Sequence, residues 1–276
     1  MSSEQTTTQT ETEQPTSGSN DFSVIKNYMM RDGKASVMFL ARMFAVINGF
    51  TFAIASFFNP ALAYACFQRL MFAFGLASVV RLSQRLGPIQ FTKQYMINVV
   101  LEDSAHYMLF ACNFYTHKPT TVIGVIPTLY CLLQSTAFLL AMLQECHSPS
   151  WTVLKKQLNK VKENQQQLLR VVASAEIFVM PVVLIQLFTG QCGSILTPLV
   201  YYQFLMLRYM SRRNPYVRNA FTELKMAINQ LIYKPSCPTI IRTIVTKGMC
   251  TVYCVLCTVY CVLCTVYCVL CTVYCV

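Results

Sequence analysis

Three ionisable residues lie close together at Glu102, Asp103 and His106. On a continuous helix their i, i+3 and i, i+4 spacings bring all three near one face. Such a face can ligate a metal or relay protons inside a membrane. The less demanding reading is a polar seam against another helix or the headgroups. It is preferred because the chain offers no second ligand cluster. Glu176 is a lone carboxylate in an apolar run, with Pro181 nearby to loosen the helix. A single carboxylate makes a poor transport pathway, so an interhelical hydrogen bond is the simpler role. Arg208, Arg212, Arg213 and Arg218 follow the last apolar run. They suit lipid phosphates or an acidic partner, and they also mark the cytosolic side of a membrane. Cysteine pairs near the C-terminus, such as Cys254 with Cys257, have metal-like spacing, but no His or carboxylate joins them. Phosphate-binding glycine loops, dinucleotide fingerprints, nucleophile elbows and paired-His metal motifs are all missing. No catalytic, cofactor or metal residue is therefore expected.

Six apolar runs carry these residues, at 35–58, 61–80, 95–115, 121–143, 171–188 and 195–210. Hydrophobic residues make up 55% of the chain and charged residues only 12%. A soluble domain carries about a quarter charged residues, so much of this surface is expected to face lipid. The net charge of +11 suits nucleic acid or an anionic membrane. No soluble basic domain accompanies it, which excludes nucleic acid as the expected partner and leaves membrane lipids. Residues 1–21 are polar, without the apolar core of a signal peptide, so the first run is expected to act as its own insertion signal. Asn59-Pro60 reads as a tight turn between runs one and two.

The tips after runs one and five hold no Lys or Arg, and the tip after run three holds only Lys118. Nearly every other basic residue falls before run one or after runs two, four and six. The positive-inside rule then places those regions and both termini in the cytosol. The expected fold is an all-α polytopic membrane protein of three helical hairpins plus amphipathic surface helices. Runs three and six are the weakest; if re-entrant or interfacial, they leave about four spans.

Residues 151–170 repeat apolar positions at helical spacing among four lysines, which predicts a surface helix. Asn214-Pro215 opens a second amphipathic helix, with Asn as cap and Pro at the first helical position. Its apolar face carries Phe221, Leu224, Ile228 and Leu231 and is expected to lie in the headgroup layer. From 251 the unit TVYCVLC repeats three times before TVYCV closes the chain. Identity at every position is unlike a packed helix, so this reads as a tandem-repeat expansion or a gene-model error rather than an anchor. The six cysteines before Cys250 read as reduced, small hydrophobes. The expected organisation is a polar tail at 1–21, a membrane domain at 22–213, a cytosolic amphipathic segment at 214–249 and the repeat at 250–276.

Several stretches resemble the transmembrane protein 33 family, also called the Krüppel homologue 2 family, whose fungal members are pore-membrane proteins. The resemblance rests on LEDSAHYMLF at 101–110, AEIFVMP at 175–181, YYQFLMLRYMSRRNPYVRNAFTELK at 201–225, KPSCP at 234–238 and RLSQRL at 81–86. It spans about 35–245; the cysteine-rich repeat departs from it. The resemblance implies a non-enzymatic protein of the endoplasmic reticulum and nuclear envelope that organises the tubular network and nuclear pore distribution. It also implies reticulon-type tubule-shaping partners and nuclear pore components. The rival reading is a small transporter or channel using Glu176, Arg69 and the Glu102 cluster. A lipid-modifying enzyme ranks third, for want of a nucleophile–base pair.

Overall fold

The structure, a computed structural model, describes residues 19–146, 151–190, 194, 196–211, 214–233 and 243. Arg212, Arg213, Cys192, Cys237 and the repeat lie outside these residues, as does the side chain of Leu231. All regular elements among the described residues are α-helices: α1 (Ser19–Arg31), α2 (Gly33–Phe58), α3 (Pro60–Leu86), α4 (Lys93–Leu101), α5 (Asp103–Phe114), α6 (Thr121–Glu145), α7 (Thr152–Glu163), α8 (Gln165–Phe188), α9 (Leu196–Met210) and α10 (Tyr216–Ile232). The chain divides into two compact units, Met1–Arg218 and Asn219–Val276. The fold described below belongs to the first.

Short polar signals set the helix ends. The Asp32 carboxylate accepts from the Ala35 amide at 3.1 Å and caps α2. Asn59 closes α2 and opens α3, its side chain accepting from the Leu62 amide at 3.1 Å, with Pro60 first in the new helix. One residue thus makes the expected tight turn, because Asn satisfies free N–H groups and Pro needs none. Gly87 ends α3 at φ 71°, a conformation that costs glycine no Cβ clash. Two boundaries differ from the sequence pattern. Helix α1 begins inside the segment expected to be a polar tail. The surface helix expected over 151–170 stops at Asn164, and Gln165 to Arg170 extend α8 instead.

Among the described residues, four helices are long and apolar enough to cross a bilayer: α2 with 26 residues, α3 with 27, α6 with 25 and α8 with 24. At 1.5 Å per residue each exceeds a hydrocarbon core of about 30 Å. The protein is an all-α polytopic membrane protein. Outward positions of α2 show the lipid-facing pattern, with Leu40, Phe44, Ile47 and Ile54 exposed at helical spacing. The weak third run is broken into α4 and α5, and the sixth is α9 with only 15 residues. Neither α5 nor α9 could span alone.

Side-chain contacts fix the helix directions. Arg31, the last residue of α1 and two before the start of α2, pairs with Glu145 at the end of α6 at 3.2 Å. Arg85, at the end of α3, pairs with Glu102 just before α5 at 2.9 Å. Asn113, near the end of α5, donates to the Thr197 carbonyl at the start of α9 at 3.2 Å. Gln186, near the end of α8, donates to Thr120 just before α6 at 2.8 Å. Helices α2, α3, α5, α6, α8 and α9 therefore alternate in direction between an end rich in basic residues and an end whose connections carry only Lys118 among the described residues. Packing does not follow chain order throughout: α6 lies on α2 and α8, whereas α5 lies on α3 and α9.

Close approach of α2 and α6 depends on small residues. A Cβ on Gly49 would stand 2.1 Å from Thr128 Oγ1, and one on Gly124 would stand 2.5 Å from Phe52 Cε1. Small residues let helix backbones meet in lipid, where dispersion rather than water drives packing. Aromatic rings fill the other seam. Phe74 meets Tyr107 at 5.4 Å, Phe110 meets Phe204 at 5.2 Å and Phe114 meets Tyr201 at 5.4 Å between centroids. Such pairs contribute roughly 0.5–1.5 kcal/mol each beyond area burial. They hold α5 against α3 and α9 against α5, although both helices are short.

Candidate functional site

The break at Glu102 creates the main polar site. Glu102 adopts φ −86° and ψ 124°, so α4 ends and α5 restarts at Asp103. Asp103 enters the first turn of α5, where the helix dipole favours a carboxylate. Asp103 and Tyr107, four residues apart, then share the face turned to α9. Arg208 near the end of α9 reaches both of them and also Glu176 on α8. Its Nε donates to Glu176 Oε2 at 3.1 Å and its Nη2 to Glu176 Oε1 at 3.3 Å, a forked pairing. Arg208 Nη1 reaches Asp103 Oδ1 at 3.3 Å, and Nη2 also donates to the Tyr107 hydroxyl at 2.9 Å. Tyr107 in turn donates to Glu176 Oε1 at 2.9 Å, and the Ser211 hydroxyl donates to Asp103 Oδ1 at 2.8 Å. The Tyr201 hydroxyl donates to the Glu176 backbone carbonyl. Glu176 is fully buried and Arg208 is 1% exposed.

One buried cation on α9 is therefore balanced by two carboxylates and a phenol from α5 and α8. Removing such charges from water is expensive, and forked geometry with satisfied lone pairs offsets that cost. The network's main effect is on arrangement: only one alignment of α5, α8 and α9 satisfies every member. Glu176 takes the expected part of an interhelical hydrogen-bond partner.

The other predicted residues divide differently. Glu102, Asp103 and His106 do not share a helical face, because the helix breaks at Glu102. Glu102 turns to Arg85, Asp103 turns to Arg208, and His106 Nε2 lies 2.7 Å from the Val100 carbonyl at the end of α4. His106 Nδ1 stays 3.9 Å from Asp103. No group of three metal-ligating side chains forms among the described residues. Arg208, grouped by sequence with lipid-contacting arginines, is instead turned inward; all its guanidinium nitrogens donate to protein groups. The reason is register, since α9 presents that position to α5 and α8. Arg218 is exposed, and Arg212 and Arg213 lie outside the described residues. In α10, Phe221, Leu224 and Ile228 are half-buried, and Asn214 Oδ1 accepts from the Tyr216 amide at 3.2 Å, the expected cap. Sequence reasoning missed Tyr107, Tyr201 and Ser211. The one signal for Tyr107 was its i, i+4 spacing from Asp103.

The sequence blocks that build this site, around 101–110, 175–181 and 201–225, also carry the similarity to known proteins. The sequence profile of the Transmembrane protein 33/Nucleoporin POM33 family matches residues 17–258. This chain belongs to that family. Transmembrane protein 33 of Rattus norvegicus is 39% identical over 220 residues, covering 78% of this chain and 86% of its own. The Homo sapiens protein of the same name is 38% identical over the same coverage. Krueppel homolog 2 of Drosophila melanogaster is 33% identical over 167 residues, 60% of each chain. No solved structure matches. In this member of the Transmembrane protein 33/Nucleoporin POM33 family, the buried carboxylate Glu176 and the buried Arg208 bind one another.

Proposed function

We propose that the protein is a non-enzymatic membrane organiser of the endoplasmic reticulum and nuclear envelope. It acts on membrane shape and on nuclear pore distribution by binding lipids and partners, with both termini in the cytosol. The observation that carries this reading is the use of the intramembrane charges. Glu176 and Arg208 are spent on each other inside the bundle, where a transporter would keep a carboxylate facing its pathway. The family's name, which includes a nucleoporin, supports the pore assignment. Partners of the reticulon type follow from the family resemblance.

Surface binding falls to α10. Phe221, Leu224, Ile228 and Leu231 recur at helical spacing, and Arg212, Arg213 and Arg218 lie at or before its first turns. Each buried methylene contributes up to about 0.8 kcal/mol, and each arginine near anionic lipid roughly 1 kcal/mol. A peptide of residues 211–234 should bind anionic vesicles and become helical on them. The Leu224→Glu/Ile228→Glu peptide should not bind, because carboxylates enter the acyl layer at high cost. In cells, the full-length double variant should stay inserted while its distribution in reticulum and envelope is disturbed. Equal vesicle binding by both peptides, or an unchanged distribution, would overturn the surface role. Ion flux from reconstituted vesicles that depends on Glu176 would favour the transporter.

A further inference from the structure

Helix α4 packs against α3 and α5, yet none of its residues is buried. Tyr95, Ile97 and Val99 are half-buried, and the exposed positions sort by chemistry. Met96 and Val100, four residues apart, share one exposed apolar face. Gln94 and Asn98, also four apart, share a polar face and bond to each other at 3.3 Å. The two-residue offset sets these faces about 160° apart around the helix. The connection from α3 adds Ile89 and Phe91, the latter 97% exposed. The level of this segment is fixed by α3. That helix has 27 residues and spans about 40 Å, against a hydrocarbon core of about 30 Å. Arg81 and Arg85 place the excess at its last turns, which reach the headgroups at the basic end. Glu102, directly after α4, pairs with Arg85 at 2.9 Å. The chain therefore leaves α3 at Gly87 and returns to the level of the last turn of α3 as α4 ends.

We infer that residues 88–101 lie in the headgroup layer of the leaflet at the basic end, with Ile89, Phe91, Met96 and Val100 among the first acyl carbons of its phospholipids. On that level an amphipathic helix meets acyl chains on its apolar face, while Gln94 and Asn98 opposite meet headgroups and water. Arg81, Arg85 and Lys93 crowd the level of the lipid phosphates, which suits an anionic leaflet. The break at Glu102 thus turns the first part of the third apolar run from a spanning segment into a shallow anchor. The inference concerns insertion alone and does not rest on the organelle, the partners or the surface role proposed above.

The test uses the full-length protein reconstituted in vesicles of dioleoyl phosphatidylcholine and dioleoyl phosphatidylserine, read by tryptophan fluorescence. Trp151 is the single tryptophan of the chain, so Trp151→Phe removes the native emission. On that background Phe91→Trp, Met96→Trp and Gln94→Trp each report one exposed position. The quenchers are phosphatidylcholine brominated near the headgroup, phosphatidylcholine brominated near the chain end, and acrylamide in the water. Phe91→Trp and Met96→Trp should be quenched at least about twofold more by the shallow bromines than by the deep ones, because interfacial helices sit about 5–10 Å into the boundary between headgroups and acyl chains. Gln94→Trp should be quenched more by acrylamide than by either lipid. Should Trp151→Phe, which loses a hydrogen bond to Asp21, unfold the chain, each position is read instead as a difference from the parent with Trp151 kept. Quenching of Phe91→Trp and Met96→Trp by acrylamide as strong as that of Gln94→Trp places the segment in water and overturns the inference. Shielding of both from all three quenchers also overturns it and assigns the face to protein, such as a second copy of this chain. Stronger quenching by the deep bromines overturns it as well, since the segment would then be re-entrant.

Discussion

Replacing Arg208 by Met tests whether the buried network decides how α5, α8 and α9 are arranged. The side chain is 1% exposed and donates to Glu176, Asp103 and Tyr107. Methionine fills similar space without charge. Asp103 keeps the Ser211 hydroxyl, but Glu176, fully buried, is left with the Tyr107 hydroxyl as its only side-chain donor. Breaking a buried pair from one side costs about 3–5 kcal/mol, because the surviving charge has lost its compensation. The folded-to-unfolded ratio should therefore fall by about two to four orders of magnitude. Glu176→Leu with Arg208→Met removes both charges and should recover most of the loss, since apolar replacement of a whole buried pair is often neutral. The coupling between the two sites should then be at least about 2 kcal/mol. Unfolding can be followed in mixed micelles as the dodecyl sulfate fraction rises. The readout is maleimide labelling of Cys66 and Cys131, free thiols at 2% and 1% exposure, resolved site by site by mass spectrometry. A single variant within about 1 kcal/mol of the parent would refute the reasoning. So would a double variant as unstable as the two single changes added together.

At the α2–α6 seam, Gly49→Ala forces a methyl group into Thr128 and should destabilise the fold by about 1–3 kcal/mol in the same labelling assay. Adding Thr128→Ala removes the nearest atoms and should restore part of that loss; no restoration would mean that the backbone rather than the side chain sets the spacing. Reporters fused at residues 20 and 245 should both be accessible from the cytosol, and lumenal protection of either would reverse the proposed orientation. Deleting 251–276 should leave membrane insertion and localisation intact, whereas loss of targeting would show that the repeat anchors the chain.

The membrane character of the chain was legible in composition alone. Long apolar runs with little charge admit few structures other than helices across a bilayer, since lipid cannot satisfy an exposed backbone. Local chemistry also placed several ends. Asn59-Pro60 and Asn214-Pro215 act within a few residues of themselves, so their effect does not depend on the rest of the fold. The weakness of runs three and six was visible as well, in their polar interruptions and short length. Pairing was a different matter. Glu102, Asp103 and His106 have spacings that suit one helical face, but the helix breaks at Glu102, and Arg85 on α3 and Arg208 on α9 pair with the neighbouring carboxylates from different directions. Arg208 and Arg218 look equivalent in sequence, yet one is buried against Glu176 and the other is exposed. Arg42 could be read as an expensive residue in an apolar run, but not as a neighbour of Arg81, which comes from the next helix. Charges interact over a few ångströms whatever their separation along the chain. Their partners, and hence their roles, were decided only when packing brought α3, α5, α8 and α9 together.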